Sequence, residues 1–529
     1  MHFFSSIQGN DYVPYLFAWS NSLSKVIKDD DRVTIYCTEI DPHIIRLLEK
    51  TYPSYSFHIK KSSVSARLTR DQRVPLKLQQ WLEFMESCEI GEEVLLLDVD
   101  LVFNEYPSVR SLGSHDLALT VKSDKWPLNT GVIGTTVSNK VIAFFDAWLQ
   151  KTKLLVSHKR NLAKALSLSG GGSQHTLIDL IGRENFMNPS KDMEFLTYEL
   201  PFLFESQSCM IKIAFHSQLE LNWDKPDQHP TSKIYHYKGG WHPLFMQKGV
   251  FSLLRPKDES KYGYYRLETS FQESVAKLNH SVYELLLEKS DTKYSEISFT
   301  LEDGGIYRSE LLYLSSLIDL VGCDMIIESG RRRACSTEFL AKTFPHIPII
   351  SVDFDRNADN IYGYNRVQSL PNVQCYFGDS NVVLPQLVSK YKNKNICLLI
   401  DGPKGIDAVK LSKKCLRLNK RVKLVAIHDM KQLNNNISSS ARAYFTEQYD
   451  FAFFTDHELL TDKSSEYDQY IGKYQDDFHK DYFYQISYGP TLGLAFPTSR
   501  DSFISKSASL RSRIKYRIQK LTTSLSGSS

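Results

Sequence analysis

Two carboxylates one residue apart, Asp98 and Asp100, follow the apolar run Val94–Leu97. Side chains at i and i+2 of a strand share one side. Two carboxylates held there repel unless a cation joins them. A hard divalent ion with oxygen ligands relieves the repulsion and can also bind a diphosphate. Such an ion stabilises the charge that develops on a departing nucleoside diphosphate, which is what sugar transfer requires. Acid-x-acid triplets are often plain surface charge. This one closes an apolar run, and a buried strand does not end in unpaired charge without a reason.

A second series of acids lies beyond residue 300. The run Asp324 to Gly330 is apolar and ends in Glu328, Ser329 and Gly330, followed by Arg331, Arg332, Arg333, Ala334, Cys335, Ser336 and Thr337. Ser336 is expected to cap a helix that begins at about Thr337. A carboxylate or phosphate suits such a helix start, and Gly330 lets the backbone turn tightly toward a ligand. Later apolar runs end at Asp353 and Asp355, at Gly378-Asp379, at Asp401-Gly402 and at His428-Asp429. Strand-to-loop turns favour Asp and Gly in any case. A succession of such ends, however, lines one edge of a sheet, and open α/β sheets bind ligands at the carboxyl ends of their strands. An acid at the second end, Asp353, suits a ribose diol. His428 has two readings, a general base or a structural histidine capping the sheet edge.

These groups need elements to position them. Strand-like runs at HFFSSI, VTIYCTE, EVLLLDVDLVF, LALTV, GVIGTT and KIYHY alternate with helical patterns such as PLKLQQWLEFMESC and KVIAFFDAWLQKT. That alternation predicts an α/β domain with a mostly parallel sheet over residues 1–250. Residues 251–300 carry the helical run TSFQESVAKLNHSVYELLLEKS and no strong strand, which reads as a helical connector. Residues 301–498 restart the rhythm with a helix at SELLYLSSLIDLV and strands at DMIIES, PIISVDF, VQCYFG, NICLLID, VKLVAIHD, FAFFTD and LGLAFP. Seven strands in this order fit a doubly wound sheet closed by a terminal hairpin. Residues 499–529 form a basic tail in which Leu510, Ile514, Ile518 and Leu521 recur at helical spacing. Two readings stand for it, an amphipathic helix touching a membrane surface or a frayed terminus.

The first 250 residues resemble a GT-A-type glycosyltransferase of the glycogenin and lipopolysaccharide galactosyltransferase family. The features come in the family's order: the turn Gly9-Asn10-Asp11-Tyr12, a helix containing Lys77, the D-x-D segment, Asn129-Thr130-Gly131, Ser173-Gln174, and His236 to Pro243. The resemblance implies that Asp98, Asp100 and His236 bind Mn2+ or Mg2+. It implies that Lys77, Asn129, Thr130, Gly131 and Gly239 contact a sugar nucleotide, a UDP-sugar by the family's habit, and that Gln174 is catalytic. Ser173 stands where the family has Asp, and His242 where it has Lys.

Residues 301–498 resemble a class I S-adenosylmethionine-dependent methyltransferase. They are closest to the branch whose first motif reads E-S-G-x-x-x-x-S-T and whose fourth reads D-G-P-K-G. The resemblance implies that Glu328, Gly330 and Ser336 contact the methionine end of the cofactor, Asp353 the ribose and Asp379 the adenine. Asp401 stands at the strand end where, together with Asp429, catechol-type members bind magnesium. The loop departs from the usual pattern, because Arg331 to Ala334 fill positions that carry glycines in the family.

Composition bounds the rest. Hydrophobic residues at 42% and charged residues at 24% are ordinary globular values, so each half can bury a core of its own. A net charge of +3 gives no reason to invoke nucleic acid. The eight cysteines form no C-x-x-C pair, which excludes a zinc cluster of that spacing and suits a reducing cytosol. The N-terminus has neither a basic start nor an apolar core, so no signal peptide is expected, and no run is long enough to span a membrane. The expectation is a cytoplasmic, two-domain α/β enzyme acting on a sugar nucleotide and a glycan acceptor. It would transfer a sugar with one domain and methylate a sugar hydroxyl with the other. The alternative keeps the glycosyltransferase and makes the second domain an inactive, acceptor-binding module.

Overall fold

The computed structural model describes residues 1–61, 70–109, 114–121, 128–158, 172–182, 195–204, 207–217, 232–237, 245, 264–290, 305–430, 437–468 and 491–501. The chain divides into two compact units, Met1–Ser274 and Val275–Ser529. The boundary falls within the helix Tyr264–Lys289.

The first unit holds β1 (His2–Gln8), β2 (Arg32–Thr38), β3 (Tyr55–Lys60), β4 (Glu93–Leu97), β5 (Leu101–Phe103), β6 (Leu117–Val121), β7 (Leu128–Thr136), β8 (Phe195–Phe204), β9 (Gln207–Ser217) and β10 (Ile234–His236). The main sheet runs β3-β2-β1-β4-β7-β6-β9-β8. Its first four strands are parallel, β7 is antiparallel to both β4 and β6, and β8 is antiparallel to β9. The sheet is therefore mixed, with its parallel half at the N-terminus. Its core gathers Phe4, Trp81, Phe145 and Trp148, with the two tryptophan rings 6.2 Å apart.

The continuous strand expected over EVLLLDVDLVF is two strands. β4 stops at Leu97, Asp98 to Asp100 form a loop, and β5 pairs with β10 in a separate two-stranded sheet. The cause is local. The N–H of Asp98 donates to the Gly131 carbonyl at 2.8 Å, and the N–H of Tyr237 donates to the Asp100 carbonyl at 2.8 Å, so the chain leaves one ladder and enters another. The pattern also predicts no strands at β3, β8 and β9. β3 is an edge strand in which only Tyr55 is buried and the rest mix exposed with half-buried positions irregularly, which leaves little periodicity to read.

The second unit holds β11 (Met325–Ser329), β12 (Ile349–Asp353), β13 (Val373–Phe377), β14 (Ile396–Ile400), β15 (Val422–Ile427), β16 (Ala452–Phe454) and β17 (Gly493–Ala495). Their order is β13-β12-β11-β14-β15-β17-β16. Five strands run parallel, and β17 inserts antiparallel between β15 and β16, so the terminal hairpin is present. The central strands are buried on both faces, as parallel strands covered by helices must be. The apolar runs that carried the expectation are these strands.

One helix start differs from expectation. The helix after β11 is Cys335–Thr343, and Ala334, with φ 63°, occupies its N-cap. Ser336 lies inside the helix because its hydroxyl is drawn inward to donate to Glu328. Among the described residues, no helix is long and apolar enough to cross a membrane. The tail beyond Asp501, with its helical spacing, lies outside the described residues.

Candidate active sites

In the first unit, Asp98 and Asp100 stand in the loop between β4 and β5, each with about a fifth of its side chain exposed. His236 comes to them from β10 and is buried. Its Nε2 lies 3.1 Å from Asp100 Oδ1 and 3.6 Å from Asp98 Oδ2. One ligand atom from each of the three falls within 4.8 Å of the others. Two carboxylates and an imidazole at this spacing fit a hard divalent ion such as manganese. Lys77 donates to the other oxygen of Asp98, and its ammonium lies 4.2 Å from the Trp81 ring centroid.

The Asn129–Gly131 segment opens β7 directly beside this loop. The Asn129 carboxamide accepts from the Gly131 N–H at 3.3 Å, and Gly131 in turn accepts from Asp98. Asn129 and Thr130 are buried. Gln174, on the helix Gly172–Ile181, donates to the Leu128 carbonyl at 2.9 Å, which ties it to the start of the same strand. Asp98, Asp100, His236, Lys77, Asn129, Thr130, Gly131 and Gln174 thus belong to one network of neighbouring segments. Gly239, with Lys238, Gly240 and His242, lies outside the described residues.

Sequence reading passes over Arg73. It sits one helical turn before Lys77, its guanidinium carbon lies 5.4 Å from the Tyr12 ring centroid, and its Nη2 would be 3.1 Å from a side chain at Gly9. The i, i+4 spacing to Lys77 was the available signal.

In the second unit, Glu328 is buried at the end of β11 and accepts from the hydroxyls of Ser336, Thr337 and Ser351. Burial pushes its carboxyl above the usual range, against the pull of those three donors. Gly330 has φ 87°, and a Cβ there would stand 2.8 Å from backbone atoms of Asp401 and Gly402. Its freedom therefore serves strand-end packing as well as the turn. Asp353 accepts the N–H groups of Arg332 and Phe354 at 2.6 and 2.7 Å, and burial raises its carboxyl as well. Asp379 is exposed and caps the helix Ser380–Lys390 through the Asn381 N–H at 2.8 Å. Glu328, Asp353 and Asp379 therefore stand at successive strand ends, each already accepting from its own chain. Carboxylate oxygens keep further acceptor capacity for a ligand.

The arginine loop is built in rather than loose. Arg332 and Arg333 pair with Asp359 at 3.4 and 3.0 Å. Arg331 is buried, donates to the Ser351 carbonyl at 2.9 Å and lies 4.9 Å from the Phe377 ring centroid. Its Nε and Nη2 have no hydrogen-bond partner. A cavity of about 20 Å³ lies among Ile306, Gly330, Arg331, Ala334, Ser336 and Asp401. The unpartnered guanidinium nitrogens beside a strand-end cavity fit an anionic group, as the amino-acid end of S-adenosylmethionine offers.

Asp401 and His428 lie next in register after β14 and β15. His428 Nδ1 is 2.7 Å from Asp401 Oδ1 and 3.3 Å from Asp429 Oδ1, and its Nε2 is 3.4 Å from Glu310 Oε2. Lys404 donates to both Asp401 and Asp429. Burial works to raise the Asp401 carboxyl, but Lys404 and His428 outweigh it and hold it at about 2. Burial works to lower the imidazole of His428, but Asp429, Asp401 and Glu310 outweigh it and raise it well above its ordinary value. A buried imidazole facing three carboxylates is held toward its protonated form. Glu310 and Lys404 are the members that sequence reading leaves out. Lys404 had a visible signal in the Asp401-Gly-Pro-Lys404 spacing, whereas Glu310 arrives from a helix about a hundred residues earlier.

No protein-family signature and no curated protein matches the chain. Solved structures do. The chain is similar to the glycosyltransferase GlyE of Streptococcus pneumoniae TIGR4, with 14% identity over 84% of this chain and 97% of that one, at a TM-score of 0.32. It is similar to the galactosyltransferase LgtC, solved with donor and acceptor sugar analogues, with 11% identity over 52% of this chain and 96% of that one, at a TM-score of 0.32. It is also similar to the O-methyltransferase TomG of Streptomyces achromogenes, solved with S-adenosylmethionine, with 14% identity over 40% of this chain and 89% of that one, at a TM-score of 0.27. The sheet orders themselves show two α/β units, a mixed eight-stranded sheet followed by a seven-stranded, mostly parallel one.

Proposed function

We propose that the chain is a bifunctional glycan-modifying enzyme that transfers a sugar from a nucleotide donor in its first unit and a methyl group to a sugar hydroxyl in its second. The observation that carries the first half is the convergence of Asp98, Asp100 and His236, with ligand atoms within 4.8 Å, beside the Asn129–Gly131 segment. A divalent cation held there supplies charge stabilisation for a diphosphate leaving group. The chain's own residues do the remaining work. Asp98, Asp100 and the buried His236 would hold the cation. Lys77 presents an ammonium to the diphosphate, and Asn129, Thr130 and Gly131 orient the donor sugar. Gln174, fixed to Leu128, faces the transfer from the neighbouring helix.

In the second unit, Glu328, Gly330, Ser336 and Arg331 would hold the amino-acid end of S-adenosylmethionine, Asp353 its ribose and Asp379 its adenine. That cofactor supplies the methyl group when bound. His428, whose Nδ1 is bound to Asp401 and whose Nε2 faces Glu310, would hold the Asp401 carboxylate in place at the acceptor end of the site. The test is direct. Purified protein with manganese and a panel of UDP-sugars should hydrolyse one donor, and chelation should stop it. Labelled S-adenosylmethionine with a glycan acceptor should yield labelled glycan. Calorimetry showing no binding of S-adenosylmethionine would remove the second half and leave the second unit as an acceptor-binding module.

A further inference from the structure

Asp401 and Asp429 end neighbouring parallel strands and point their carboxylates at one spot. With His428 they offer ligand atoms that lie within 4.8 Å of one another, as do those of the metal-type cluster of the first unit. The occupancy of the two spots differs. In the first unit, Asp98 Oδ2 and Asp100 Oδ1 both face His236, and Lys77 takes the remaining oxygen of Asp98. In the second unit, the ammonium of Lys404 stands between the two acids, donating to Asp401 Oδ1 and Asp429 Oδ2.

The surroundings hold it there. The backbone of Lys404 occupies the N-cap of the helix Gly405–Leu418, so its stem starts from a fixed point. Asp429 adopts φ 63°, a conformation that costs a non-glycine residue free energy and turns its carboxylate toward the cluster. His428 Nε2 and Glu310 Oε1 are buried and make no hydrogen bond. Asp401 and Asp429 therefore face the Lys404 ammonium, and the same two acids together with Glu310 face the His428 imidazole. A divalent ion placed at the same spot would meet the ammonium at contact distance, a like-charge repulsion that a low-dielectric site does not tolerate.

We propose that Lys404 is a built-in cation that takes the place of a divalent ion between Asp401 and Asp429, making this strand-end site independent of metal. Lys404 is a positioning residue. It neutralises the repulsion between the two acids and fixes the Asp401 oxygen against which His428 is oriented. The assignment shares its residues with the proposed methyl-transfer site, yet it concerns the cation alone.

The experiment uses the full chain carrying Asp98→Asn and Asp100→Asn, which silences the first cluster, and follows Mn2+ binding by electron paramagnetic resonance and calorimetry. With Lys404 intact, no stoichiometric Mn2+ binding is expected. Adding Lys404→Ala should create a site for one Mn2+ per chain, lost again on Asp429→Asn, whereas Lys404→Arg should create none. Stoichiometric Mn2+ in the Lys404-containing protein, removed by Asp429→Asn, would overturn the proposal without requiring any Lys404 variant to fold. So would a Lys404→Ala protein that melts like its parent and binds no Mn2+. S-adenosylhomocysteine binding measured in parallel keeps the readings apart, since its absence would count against methyl transfer and not against the internal cation.

Discussion

The backbone N–H of Asp98 donates to the carbonyl oxygen of Gly131 at 2.8 Å, one step beyond the point where β4 and β7 pair Leu97 with Val132. The first acid of the metal-type cluster and the segment assigned to the donor sugar are therefore one hydrogen-bonded unit. A change in either shifts the other.

Removing the acids should abolish the metal-dependent step. Asp98→Asn with Asp100→Asn is expected to lower manganese-dependent hydrolysis of the preferred sugar nucleotide by at least about 100-fold. His236→Ala should raise the Mn2+ concentration needed for half-activity on the order of tenfold or more. Unchanged Mn2+ titrations in both variants, with melting curves like the parent's, would refute the cluster's role.

Lys77 tests the donor side of the same site. Lys77→Met keeps the length of the stem over Trp81 and removes the charge. The loss of one charge-assisted contact to a diphosphate predicts a donor KM about tenfold higher. The measurement is a donor titration at saturating Mn2+; an unaltered KM would place the diphosphate elsewhere.

Packing of the arginine loop can be tested by adding a single methyl group. A Cβ at Gly363 would lie 1.9 Å from the Arg332 carbonyl oxygen, a backbone atom that cannot swing aside. Gly363→Ala should destabilise the second unit by about 3 kcal/mol, read by urea denaturation, or displace the loop and weaken S-adenosylhomocysteine binding. A variant as stable as the parent with unchanged ligand affinity would show that the loop does not rest on that helix.

Glu328 sets a pH dependence with a definite sign. Its folded pKa is raised by burial, so its contribution to stability is fully present below the ordinary carboxylate range and is lost as pH rises through the folded value. The second unit should melt progressively lower as pH rises from the ordinary carboxylate range through that value. Glu328→Gln, which cannot ionise, should flatten the trend. A parallel pH profile in parent and variant would assign the dependence to another group.

Much of the second unit was legible because its strands are short apolar runs buried on both faces, each ended by an acid or glycine. MIIES, IISVD, ICLLI and VKLVAI needed only their composition to be placed. The first unit hid more. A strand carries no mark of where its hydrogen-bond partner changes, so LLLDVDLVF reads as continuous although the ladder breaks at Asp98. The edge strand Tyr55–Lys60 and the hairpin strands Phe195–Phe204 and Gln207–Ser217 mix apolar with polar residues and give no clean period. The charge partners of the strand ends were the least visible. That Glu310 faces His428, and that Lys404 bridges two acids, depends on which elements the sheet order makes neighbours.

The short ladder between β5 and β10 joins Leu101–Phe103 to residues more than a hundred positions later along the chain. Closing so long a loop for so few hydrogen bonds is entropically unfavourable, and such pairings open locally before the rest of a domain does. An ion held by Asp98, Asp100 and His236 would tie the two strands a second time. Binding of a divalent ion should therefore register as slowed amide exchange at Tyr235 and Tyr237, far in sequence from the acids themselves.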